Sequence, residues 1–309
     1  MNKRIIFLLT NIIFLGFTIE NAFSCLSCGC TGSSSISDMD SISNNVGTFS
    51  RGNDFLFQFG TSFRDINGSF NERGTWFEKP SNSRIQSLSN NLKLTYFPNY
   101  TWTFSVQTSI VSNFLEKASW GDFGSISPTD ENLLLGTALG DFSIQTTYKL
   151  GELGNFSFNP WLNLTFPTGN AEGKSEYISG NGTYSTSLGF LVLSKFDKFE
   201  FINNISYQIP IYKKNTNLTY SLNNSFFIQS AMNYDIFYNL KASFGIYFTS
   251  GFWGNDNKNP VFNLKVSPSI QYNLDNEKGF KLSFIYAPSF FGKNSLTDTS
   301  INLGYFNFI

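Results

Sequence analysis

The sequence predicts an all-β protein: one closed, up-and-down antiparallel β-barrel of about twelve strands spanning a lipid bilayer. Three observations predict it. Apolar and polar residues alternate over runs long enough to cross a membrane, the connections between the runs are short and long in strict turn, and the composition is rich in aromatics but poor in charge. Aromatic residues make up 18% of the chain, with 36 Phe, while charged residues make up only 14%. A soluble protein covers its surface with charge, so this pairing fits a surface that meets lipid.

The alternation is clearest in "FNLKVSPSIQYNLDNEKGFKLSFIYAPSFF". From Phe262 the even positions are apolar and the odd ones are Asn, Lys, Ser and Gln, and the pattern resumes after the turn "DNEKG". Successive side chains of a strand point to opposite faces, so each such run has one apolar and one polar side. Comparable runs lie near 54–64, 89–97, 101–112, 141–150, 155–166, 183–195, 198–209, 222–234, 238–250, 261–274, 279–290 and 299–308. Their length exceeds the five or six residues typical of globular strands and suits a tilted membrane strand of about 9–11.

Short turns such as "PNY", "GELGN", "FDK", "DIF" and "DNEKG" alternate with long polar connections such as "PTGNAEGKSEYISGNGT". In bacterial barrels the short turns face the periplasm and the long loops face outside. Tyr96, Trp102, Tyr148, Tyr234 and Tyr238 fall near the short turns, and Phe63, Phe166, Phe248 and Phe290 near the long ones, as two interfacial girdles require. The opposite faces, with Thr103, Ser105, Gln107 and Ser109 as one example, are too polar for a second buried layer and point to a lumen. The last run, "TSINLGYFNFI", suits recognition by the bacterial barrel-assembly machinery.

Residues 1–24 read as a signal peptide: "MNKR" is basic, "IIFLLTNIIFLGFTI" is apolar, and Ala22 and Ser24 precede a cleavage that leaves Cys25 first. Residues 25–53 form a polar, Cys-containing segment read as a plug or a tether, and 54–309 form the barrel. The three cysteines, Cys25, Cys28 and Cys30, leave three readings open: a lipid on Cys25, a disulfide, or thiolate ligands for a soft metal ion. The expected location is the bacterial outer membrane, with both chain termini on the periplasmic side.

The net charge of -1 removes any electrostatic footprint for nucleic acid, and the absence of His rules out Ser/His/Asp and Ser/His/Asn catalytic sets. No enzyme activity and no cofactor are expected. Lys93, Lys149, Lys241, Lys265 and Lys281, with Glu200, fall on lumen-facing parity and imply a slight preference for anions. Pro268 and Pro288 fall inside strands, where proline cannot donate to the ladder, and mark a weakness in the wall around the eleventh strand.

Two stretches, "LGDFSIQTTYKL" and "NPWLNLTFPTGN", resemble the strand start and strand end that mark the predicted outer-membrane transporters of the meta-pathway of phenol degradation. Gly140 and Asp141 occupy the first motif, and Pro167, Thr168 and Gly169 the second. The likeness covers these two stretches and the "CLSCGC" start of the mature chain. Phe166 stands where an aliphatic residue is usual, and Asn170 where an Asp is common. The resemblance implies an exported barrel carrying small hydrophobic molecules. With the alternation, it leads to the expectation of a passive channel whose partners are lipid and a small solute. A closed barrel acting as a scaffold or adhesin through its long loops is the alternative.

Overall fold

The computed structural model describes residues 53–120, 126–129, 133–170, 177, 179–180, 183–213, 222–253, 259–293 and 295–309. The signal-peptide reading of 1–24, the plug or tether and the cysteines Cys25, Cys28 and Cys30 lie outside them. Twelve strands form the wall: β1 (Asp54–Phe70), β2 (Arg84–Phe97), β3 (Trp102–Glu116), β4 in two pieces (Leu134–Leu139 and Phe142–Tyr148), β5 (Phe156–Phe166), β6 (Thr183–Phe196), β7 (Phe199–Lys213), β8 (Leu222–Phe237), β9 (Leu240–Trp253), β10 (Asn259–Asn273), β11 (Lys278–Tyr286) and β12 (Leu296–Phe308). Each pairs antiparallel with its successor, and β12 returns to β1 from Leu56↔Phe308 to Ser69↔Leu296. No strand edge is left for lipid to meet unpaired over the shared length, which is the condition for crossing a bilayer with strands.

Polarity is inverted relative to a soluble protein. The exposed outer positions include Phe59, Leu92, Phe104, Ile144, Leu188, Ile246, Leu282 and Leu303, whereas the buried inner positions include Ser89, Thr103, Ser105, Asn163, Ser187, Asn204, Gln229, Ser267 and Asn302. Aromatic pairs band the outside at both rims. Phe55–Tyr96 and Trp102–Tyr148 have ring centroids 4.7 Å apart near the short turns, with Phe199–Tyr234 at 4.9 Å. Near the long connections, Phe166 meets Phe142 at 6.0 Å and Tyr184 at 6.2 Å, and Phe291 meets Phe262 at 5.1 Å. Rings at the headgroup level place an apolar body in hydrocarbon and a polar tip or edge at the interface.

The structure differs from the alternation pattern at several places; β1 runs on to Phe70 and β2 begins at Arg84, so the first long connection is shorter than the pattern gives. The eighth strand continues to Phe237 through an irregularity at Asp235, so the turn is Tyr238–Asn239 rather than "DIF". The eleventh ends at Tyr286, not at 290: Ala287 donates once more to the Asp298 carbonyl, and the chain then turns, leaving Phe290 exposed on the turn. The fourth runs further out than 141, because Leu134–Leu139 pairs with Ile110–Leu115. Between its two pieces the register on β3 slips by one, from Ile110↔Leu139 to Gln107↔Ser143, so Gly140 and Asp141 form a bulge.

Candidate functional site

The inner wall carries its charges in separate groups. In β12 the Asp298 side chain is 1% exposed and accepts from Arg64 Nε at 2.9 Å and from Lys265 Nζ at 2.7 and 3.0 Å. One carboxylate shared by two cations leaves this group with a surplus positive charge. At the short-turn end, Lys241 lies 3.4 Å from Glu200 and 3.6 Å from Asp235, and Asn233 donates to Glu200 at 2.8 Å. Lys149 lies on the rim beyond β4, 2.5 Å from Glu152. Lys93 and Lys281 share a recess between β2 and β11. Arg64 and Asp298 were not singled out by the sequence pattern; they stand 234 residues apart, and only their inward parity, an unusual place for an acid, hints at them.

Across the lumen, apart from the Glu200–Lys241 group at the short-turn end, the wall carries an apolar patch. Trp161, Leu191, Leu193, Ile202 and Ala231, from β5 to β8, form one buried cluster on lumen parity. The Trp161 indole N–H donates to Asn204 Oδ1 at 2.9 Å, and the Asn204 amide donates to Gln229 Oε1 at 3.1 Å. A buried indole needs such a partner, since an unpaired donor is expensive inside a protein. The cluster narrows the lumen on this side, and a second one, Leu56, Phe97 and Phe308, lies near the short-turn rim.

The five residues of the two motifs come together in space. Gly169 donates its backbone N–H to Asp141 Oδ1 at 3.0 Å, and the Thr168 hydroxyl donates to the Gly140 carbonyl at 2.8 Å. Ser179 adds a third bond, to the Leu139 carbonyl at 2.6 Å. A Cβ on Gly169 would meet Gly180 Cα at 2.7 Å and Asp141 Oδ1 at 2.9 Å, so only glycine lets these backbones approach. Pro167 follows the last residue of β5, where no ladder bond is asked of it. The group fastens the β4 bulge to the outer end of β5 with hydroxyl and carboxylate bonds where strand pairing has stopped.

Pro268 and Pro288 are placed differently. Pro268 pairs with Phe244 on β9, but toward β11 the bridges pass from Val266↔Tyr286 to Ser269↔Ser283 with unchanged register, so the ladder is interrupted without slipping. On its other side β11 pairs with β12 without a break from Lys278↔Asn307 to Tyr286↔Thr299. Pro288 lies in the turn after β11.

No protein-family model matches the sequence, and no curated protein matches it. Among solved structures the chain is similar to the COG4313 outer membrane channel from Pseudomonas putida F1, with a TM-score of 0.62 at 13% identity, over 84% of this chain and 96% of that one. It is more loosely similar to the NanC porin, with a TM-score of 0.48 at 11% identity over 81% and 99% of the two chains. The toluene transporter TodX of Pseudomonas putida gives a TM-score of 0.43 at 13% identity over 93% and 95%. At these identities the likeness is one of fold: the chain is a closed, all-β transmembrane barrel.

Proposed function

We propose that this protein is a passive outer-membrane channel for small solutes, hydrophobic ones among them, with no catalytic step of its own. The observation that carries the reading is the reversed polarity of a closed wall, apolar outside and polar within. Such a wall stabilises a water-filled path through lipid and has little other use for its inner serines and asparagines. The Pseudomonas putida F1 protein that shares the fold is itself an outer membrane channel. Residues 1–24 direct export, the rim of short turns faces the periplasm, and the barrel-assembly machinery inserts the chain. Residues 25–53, with Cys25, Cys28 and Cys30 at their start, are the plug or tether.

Single-channel conductance in a planar bilayer tests this, with and without residues 25–52. Steps from the intact protein, or steps that appear only after the deletion, are the expected results. Silence from both proteins would remove the channel reading and leave the scaffold one. The scaffold reading has its own support in the apolar cluster around Trp161, which occupies lumen space on one side.

A further inference from the structure

Two glycines of the wall are not explained by packing. At most strand glycines a side chain has no room: a Cβ on Gly189 would fall inside the Trp161 indole, and on Gly245 it would lie 2.6 Å from the Tyr247 hydroxyl. At Gly279 it would lie 2.6 Å from the Tyr272 carbonyl oxygen. At Gly60 the nearest atom is the Leu303 carbonyl oxygen at 3.7 Å, and at Gly304 nothing approaches nearer than 4.0 Å. Neither has a positive φ, so backbone conformation does not demand glycine. Glycine weakens a strand, and these two are direct cross-strand partners on lumen parity. What they do is leave a space.

That space is a recess open to the lumen, lined by Gln58, Lys93, Lys281, Asn302 and Phe306 around the two glycines. Lys93 is 6% exposed, and among the described residues it makes no hydrogen bond and no ion pair, unlike Lys149, Lys241 and Lys265. Gln58, its register partner, has a buried amide oxygen without a partner. A flip of that amide presents its NH₂ to the recess instead. Phe306 joins the recess to the apolar cluster of Leu56, Phe97 and Phe308. A buried ammonium without a counter-charge is costly unless something anionic arrives.

We infer that the recess is a binding site for small carboxylates with an apolar body: Lys93 and Lys281 take the carboxylate, Gly60 and Gly304 give it room, and Phe306 covers the apolar part. The inference deepens the channel reading by naming a solute class, and it rests on that reading for its biological use. Its test does not need conduction. Binding of 4-fluorobenzoate to detergent-purified full-length protein is followed by ¹⁹F NMR, with 4-fluorobenzyl alcohol as the neutral control and heat-modifiable gel mobility as the check of folding.

The acid is expected to bind and the alcohol not, with binding weakened at high salt. Lys93→Gln and Lys281→Gln are each expected to weaken it about tenfold or more, as loss of a charge-assisted hydrogen bond does. Lys93→Arg restores it. Gly304→Val keeps both lysines, fills the recess and abolishes binding. Equal binding of acid and alcohol, or binding unchanged in both Lys→Gln variants, would overturn the site. A protein that binds but never conducts would remove the channel reading and leave the site standing.

Discussion

Inward glycines occur on both sides of this lumen and have opposite consequences. On the β5–β9 side two glycine hollows are filled: Trp161 lies over Gly189, and the Tyr247 ring lies over Gly245 two residues away. Beside Gly189 the wall is apolar, and its buried indole and amide donors are satisfied by hydrogen bonds. On the β10–β2 side no ring covers Gly60 and Gly304, and the groups around them are cations. A glycine in a strand is therefore not itself a signal of an opening. Whether a neighbouring position supplies a ring decides between a filled hollow and a recess.

The largest effect that separates the two sides is expected from Trp161→Ala. Removing the ring that fills the Gly189 hollow should lower stability by about 3–5 kcal/mol, read as a shift in urea midpoint in liposomes, and should raise single-channel conductance if the cluster narrows the path. Asp298→Asn on the charged side comes next. It leaves Arg64 and Lys265 facing each other without their carboxylate, and a loss of about 3 kcal/mol is expected in the same assay, larger at low salt than at high. An unchanged midpoint would mean that lumen water screens the group fully.

A matched pair of small substitutions then tests the glycines directly. Gly245→Ala should cost about 1–3 kcal/mol because the Tyr247 ring must move. Gly60→Ala meets only an ordinary contact with the Leu303 carbonyl oxygen and should change the midpoint by less than about 0.5 kcal/mol; equal costs would end the contrast. The smallest effect lies in the β10–β11 turn. The backbone N–H of Glu277, and then the Lys278 side chain, hold the Asp275 carboxyl below the ordinary carboxylate range. A lowered folded pKa means the turn is fully supported above the unfolded value and loses that support as pH falls through the folded one. The Glu277 amide shift, followed by NMR, should titrate with a midpoint below that of a free Asp.

Much of the wall was legible because a strand that separates lipid from water must alternate, and Phe262–Tyr272 shows the rule almost without exception. The outer half of β4 was not legible. The Gly140–Asp141 bulge swaps the parity, so Leu135 and Leu139 face out on odd positions while Ile144 faces out on an even one, and a fixed period cannot follow both. The far end of β11 was over-read for the opposite reason: Pro288 and Phe290 keep the parity after the ladder has ended. In the lumen, inward lysines were visible one at a time. That Lys93 and Lys281 share a recess depends on the β12–β1 seam, which no local pattern records.

That seam also orders events in time. Phe55 and Ile309 exchange both backbone hydrogen bonds, so β1 waits for a partner that lies eleven strands further along the chain. Until then the growing sheet has two bare edges, each able to pair with any other chain it meets. Closure over such a sequence distance is intrinsically slow. A sheet that lacks β12 is thus a hazard rather than a smaller pore, because both of its edges stay open to pairing until β1 and β12 meet.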